Sequence, residues 1–146
     1  MGNRYEIGVR TPAAAAGAAY MTIHTGASYR ARIVEIGVDA SAGTLSSVGW
    51  GKPANTPVAT TSVLGQQFDG IDAVSTVNVD TAWSTAPTVP ANFFRRFAIP
   101  ATAGAGFIWT YPDNAPRILA VSSWLCLWNF GASAGAALDV YVVWEE

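Results

Sequence analysis

Residues 116–146, PRILAVSSWLCLWNFGASAGAALDVYVVWEE, decide the fold. Two apolar runs, Ile118–Trp128 and Leu138–Trp144, flank a Gly/Ala/Ser loop at Asn129–Ala137. At a period of two, Ile118, Ala120, Ser122, Trp124, Cys126 and Trp128 share one face. Leu119, Val121, Ser123, Leu125 and Leu127 share the other. Both faces are mostly apolar, which predicts a strand covered on both sides. The second run alternates more cleanly, with Leu138, Val140, Val142 and Trp144 opposite Asp139, Tyr141, Val143 and Glu145. Together they predict two antiparallel strands near the middle of a β structure. Trp124, mid-run, is expected in the core between sheets, along with one of Trp128 and Trp144. A membrane helix needs about 20 apolar residues, whereas Ile118–Trp128 is shorter and split by Ser122–Ser123.

Upstream, the same alternation recurs in short segments separated by turn residues. Asn3–Val9 predicts a first strand or an extended arm, with Tyr5, Ile7 and Val9 on one face and Glu6 opposite. Residues 1–12 are set apart from a sandwich domain at 13–146, because Met1–Pro12 holds too little apolar surface to fold on itself. The arm is expected to be held by a neighbouring subunit or by a partner protein. Thr11–Ala19 is Ala-rich, but Gly17 and its short length argue against a stable helix. Ala18–Thr25 and Tyr29–Asp39 read as strands joined by the turn His24–Ser28, with Val34, Ile36 and Val38 facing a core. Thr44–Trp50 is a further strand, and Val58–Leu64 an edge candidate. Val74–Trp83, Phe93–Ile99 and Gly106–Tyr111 complete the set. On Phe93–Ile99 the expectation is Phe93, Arg95, Phe97 and Ile99 on one side. Gly51–Pro57 and Ser84–Pro90 are proline-rich loops, whose prolines remove backbone donors. Some eight to ten short strands and no amphipathic helix predict an all-β, single-domain antiparallel β-sandwich, jelly-roll-like. A closed barrel is the alternative.

The 146-residue length suits one domain with one core. Hydrophobic residues make up 51% and charged residues 12%, about half the usual share of ~25%. A lone domain of this size exposes roughly 7,000 Å². With so few charges to cover that surface, part of it is expected to meet other protein, through self-association or a partner. Met1–Arg10 lacks the apolar stretch of a secretory signal, so the expected setting is a cytoplasm. The lone cysteine, Cys126, is expected as a buried, inert thiol.

No residue pattern predicts catalysis, a metal or a cofactor. His24 is the only histidine, too few for a metal site of the cupin kind. No Gly-x-Ser-x-Gly nucleophile accompanies it. A strand-end histidine with one hydrogen-bond partner is the plainer reading. Asp69-Gly70-Ile71-Asp72 offers oxygen ligands but lacks the alternating acids of a calcium loop, and Asx-type turns explain both aspartates. Glu145 and Glu146 read as a solvated end. Arg95 and Arg96 point to opposite faces of a strand and cannot form one patch. A net charge of −2 also opposes phosphate binding, so neither nucleic acid nor membrane is an expected partner. The tryptophans invite more attention, because aromatic side chains dominate interfaces.

Four stretches carry a resemblance: YRARIVEIGVDASAGTLSSVGWGKPANTP (Tyr29–Pro57), VDTAWSTAPTVP (Val79–Pro90), AGFIWTYP (Ala105–Pro112) and LCLWNFGASAGAALDVYVVWEE (Leu125–Glu146). Together they resemble the jelly-roll decoration, or cement, proteins of tailed bacteriophages. The resemblance implies a structural virion protein without an active site. It would sit on the capsid exterior, bind the major capsid protein, and self-associate as a trimer or a dimer. The interface residues expected are Arg4 and Tyr5 on the arm, with Trp50, Trp83, Trp109 and Tyr111 near strand ends and loops. Trp109 in particular is expected to point outward. The alternative is a carbohydrate- or receptor-binding sandwich, such as a phage fibre head, that uses loop tryptophans and aspartates.

Overall fold

A computed structural model describes residues 2–146; Met1 lies outside them. The chain forms twelve strands and, among the described residues, no helix, hence none long and apolar enough to cross a membrane. The strands are β1 (Arg4–Arg10), β2 (Ala19–His24), β3 (Ala31–Ala40), β4 (Ser46–Gly51), β5 (Val58–Leu64) and β6 (Gln66–Gln67), then β7 (Asn78–Thr85), β8 (Phe93–Ile99), β9 (Gly106–Thr110), β10 (Arg117–Leu119), β11 (Trp124–Asn129) and β12 (Leu138–Glu145). They make two antiparallel sheets. The first runs β10-β3-β12-β1-β6, with β9 also paired to β3, and the second runs β5-β7-β2-β11-β4-β8. The protein is a single-domain β-sandwich.

The core lies between the sheets. Tyr5, Ile7, Ile33, Ile36, Val38, Val140, Val142 and Trp144 enter from the first sheet. Met21, Ile23, Val48, Trp50, Val79, Leu125 and Leu127 enter from the second. Burying side chains of this size contributes about 1.5–3 kcal/mol each. In the first sheet a register step opposite Val34 lets both Ile33 and Ile36 face inward. Cys126 is fully buried, and that burial pushes its thiol pKa up.

No two strands consecutive in sequence are hydrogen-bonded neighbours. Ala19–His24 and Ala31–Ala40 are strands joined by a short connection, as expected, and they lie in different sheets. One expectation is corrected. The run Ile118–Trp128 is not one strand but two, β10 in the first sheet and β11 in the second, and β11 does not pair with β12. The chain crosses between sheets at Ala120–Ser123, where Ser122 takes φ 48°. Loop residues after β2 satisfy the crossing. Ser122 N–H donates to the Gly26 carbonyl at 2.9 Å, Ser123 N–H to Thr25 Oγ1 at 3.1 Å, and Thr25 Oγ1–H to the Ala120 carbonyl. Apolar residues on both faces of a run therefore reflect a change of sheet as well as double cover.

The N-terminal residues are paired within their own chain, where the expectation was an arm unable to pack on its own domain. Along its whole length β1 pairs with β12, and at Tyr5–Glu6 it also pairs with β6. Tyr5 and Ile7 are buried core side chains.

Candidate interaction surface

Six residues were expected at an interface, and the structure scatters them. Arg4 is exposed on the outer face of the first sheet, and its guanidinium lies 2.9 Å from Glu145. Tyr5 is buried and cannot meet a partner. Its ring stacks on Trp144 at 6.0 Å, and its hydroxyl donates to the Ala73 carbonyl at 2.9 Å. Trp50 is also core, 1% exposed, because β4 continues to Gly51 and is paired on both sides, by β11 and β8. Trp83 is half-buried and its Nε1–H donates to Thr22 Oγ1 at 3.1 Å. Trp109 does not point outward. It packs on Phe107 at 4.2 Å, and Phe107 packs on Phe97 at 4.2 Å. Tyr111, near the Arg95 guanidinium at 5.9 Å, extends this seam, which closes the sandwich between β8 and β9. The outward residue of β9 is Ile108, 63% exposed.

Trp124 is likewise corrected. The inward residues of β11 are Leu125 and Leu127, so Trp124 and the buried Trp128 lie on the other face of the second sheet, and of the three tryptophans in the last two runs Trp144 is the one in the core between the sheets. Trp124 stacks on His24 at 5.8 Å. His24 Nδ1 is 2.7 Å from Asp80 Oδ2, and the Asp80 carboxylate also accepts from Thr22 Oγ1 (2.8 Å) and Ser62 Oγ (2.5 Å). An unpaired carboxylate at this depth would be costly. With three partners it instead ties β2, β5 and β7 together. Nothing in the sequence pairs Asp80 with His24, 56 positions away.

The C-terminal carboxylates are not a solvated end. Glu145 is buried between Arg4 and Arg32, whose guanidinium lies at 3.1 Å. Glu146 accepts from Ser75 Oγ at 2.5 Å, from Thr76 and from Trp144 Nε1 at 3.1 Å. On β8 the expected alternation fails at one point. Gly51 faces Phe93 and Trp50 faces Arg95, so Phe94 is an extra residue. Phe93 therefore joins Arg96 on the outer face, where the Arg96 guanidinium sits 3.9 Å from the Phe130 ring centroid.

The two sides of the molecule differ in charge. On the outer face of the first sheet stand Arg4, Glu6 and Arg10 of β1, Arg32, Glu35 and Asp39 of β3, and Asp139 and Glu145 of β12. These eight come from a chain holding only 8 basic and 10 acidic residues. Most are paired: Arg10 grips Asp139 with two nitrogens, which holds that carboxyl below its usual range. Tyr141 lies flat over Gly37 at the centre of this face, and its hydroxyl donates to Glu35 Oε1 at 2.7 Å.

The side where β5 and β6 form the sheet edges is the opposite case. No charged residue occurs between Lys52 and Asp69. Val58, Val63, Leu64, Phe68, Ile71 and Val74 are all exposed there and in the loop that follows. Asp69 Oδ1 accepts the Ile71 N–H at 3.2 Å, and Asp72 N–H donates to the Asp69 carbonyl at 3.0 Å. This Asx-type turn presents Ile71 with 91% of its surface exposed. The edge position of Val58–Leu64 was legible in the sequence; its display of apolar side chains was missed, although the uncharged stretch was the available signal.

No protein-family model, no curated protein and no solved structure matches the chain.

Proposed function

We propose that the protein is a structural virion protein, a decoration protein that binds the outer capsid surface and staples neighbouring major capsid protein subunits. It acts as a homo-oligomer, a trimer or a dimer, on the capsid exterior after assembly in the host cytoplasm. The observation that carries this reading is the exposed apolar side chains of β5, Phe68, Ile71 and Val74, on a stretch that holds no charge between Lys52 and Asp69, set against a charged and largely ion-paired outer face on the first sheet. Exposed apolar side chains gathered on one side of a molecule mark protein contact. Edge strands normally carry charge or proline to prevent association, and β5 carries neither. Register slips between Val58 and Ser62 twist its first half, so docking relies on apolar side chains more than on strand addition. In this orientation the β5–β6 side meets the shell and the sister subunits, while the charged face of the first sheet keeps the particle soluble. Repetition over many equivalent sites raises the effective affinity. The resemblance of the four sequence stretches to phage decoration proteins supplies the class of partner. The sugar-platform alternative has less support from the loop tryptophans, since Trp83 and Trp109 turn onto their own chain.

The test mixes purified protein with empty capsids and images the particles. Ordered density at symmetry positions, with the β5–β6 side facing the shell or a sister subunit, is the expected result. Scattered or absent density refutes the proposal.

A further inference from the structure

The recess at the opposite edges of the two sheets is built differently. It holds about 140 Å³ and lies where β10 and the start of β8 approach the start of β11. Trp124 and Phe94 are its aromatic lining residues, and Ser123 brings a hydroxyl. Lys52 and Arg117 give it positive charge, and no carboxylate lines it. The Arg117 guanidinium lies 3.3 Å from the Phe94 ring centroid, which fixes its plane. Neither Lys52 nor Arg117 has an ion-pair partner among the described residues. Trp124 is held in place from behind by His24, and His24 by the buried Asp80.

We propose that this recess binds the carboxylate-bearing ring of an acidic monosaccharide. An indole and a phenyl ring offer flat apolar surface for the C–H face of a sugar. A guanidinium held in one plane suits a carboxylate, which it can grip with two parallel hydrogen bonds. The recess is well below the ~300–1,000 Å³ of sites for drug-sized ligands, so it takes one ring rather than an oligosaccharide. A phosphate polymer is a poorer match, because the two cations stand alone on a chain of net charge −2. The first sheet runs from β10 to β6 and the second from β5 to β8, so the recess stays open when the β5–β6 side is docked. The proposal does not depend on the capsid reading.

The experiment titrates the full protein with glucuronate, glucose and acetate at one ionic strength, following tryptophan fluorescence and heat. The expected result is saturable binding of glucuronate, with glucose and acetate each weaker by about tenfold or more, the scale of a lost charge-assisted bond or a lost stacking face. Arg117→Gln should bring glucuronate down to the level of glucose while leaving the melting temperature unchanged, and Lys52→Gln should weaken glucuronate and acetate but not glucose. Equal affinity for glucuronate and glucose overturns the charge argument. Acetate competing as well as glucuronate overturns the stacking argument. Saturation by none of the three overturns the site, as does a preference that survives both substitutions together.

Discussion

Gly65 joins the edge strand β5 to β6, and a side chain there meets the core. A Cβ at Gly65 falls closer than 3.0 Å to two carbons of the Trp144 indole. That indole cannot withdraw. It is fully buried, stacked on Tyr5 at 6.0 Å, and its Nε1–H donates to Glu146. Overpacking against a fixed neighbour costs about 1–3 kcal/mol, and loss of the Glu146 bond places Gly65→Ala at the upper end. At ~2–4 °C per kcal/mol for chains near this size, the melting temperature should fall by roughly 5–10 °C. Gly37→Ala is the control. Its Cβ would meet the Tyr141 ring just as closely, but Tyr141 lies on an outer face and its ring can swing toward solvent. The cost there should stay under about 1 kcal/mol, as for most surface changes. The assay is thermal and urea unfolding of both variants, read at two probes. A Gly65→Ala protein that melts within about 1 °C of the parent, or a Gly37→Ala protein that loses more than it, refutes this account of where the core is rigid.

Other perturbations test separate parts of the structure. Removing residues 2–10 should abolish cooperative unfolding, not merely weaken assembly, because β1 is an inner strand and Ile7→Ala alone should cost about 2–5 kcal/mol; a truncated protein with an intact melt would contradict that placement. Ser122→Gly should stabilise by about 1 kcal/mol, since the left-handed conformation penalises any residue with a Cβ, and unfolding in urea measures it. The Tyr141 hydroxyl donates to Glu35, which pushes its pKa up to about 12. A group raised in the fold supports stability below its unfolded pKa near 10, and that support is lost as pH rises through about 12. Phenolate absorbance should show, besides the Tyr20 phenol that burial also raises, a late-titrating tyrosine that moves to lower pH in Glu35→Gln; an unchanged titration would contradict the hydrogen bond.

Fold class was legible because alternation at a period of two and proline- or glycine-marked loops are local properties. Partner choice was not, because every pairing in this sandwich joins strands that are not neighbours in sequence. β12 lies between β1 and β3, so the two ends of the chain must meet before the first sheet exists. Nothing within Ile118–Trp128 marks Ser122 as the crossing point except two serines. Nor does a run that is apolar on both faces reveal that Leu125 turns inward and Trp124 outward. The same limit hid the surface features: Asp80 behind His24, and Arg4 with Arg32 around Glu145, are assembled across neighbouring strands far apart in sequence. The edge role of Val58–Leu64 and the turn chemistry of Asp69–Asp72 were readable, since both depend on adjacent residues.

The central claim is that the molecule docks through the side bearing β5, β6 and the Ile71 turn. Ile71→Lys tests it most directly, because the side chain is 91% exposed and contributes nothing to the fold. The measurement is capsid occupancy by sedimentation, with a thermal melt on the same sample. The melting temperature should not change, since a fully exposed side chain is worth less than about 0.5 kcal/mol, while capsid binding should weaken by about 2 kcal/mol, as at an interface hot spot. Unchanged occupancy by Ile71→Lys, with binding lost instead when Asp39 or Glu35 on the charged face is replaced by lysine, would contradict the account.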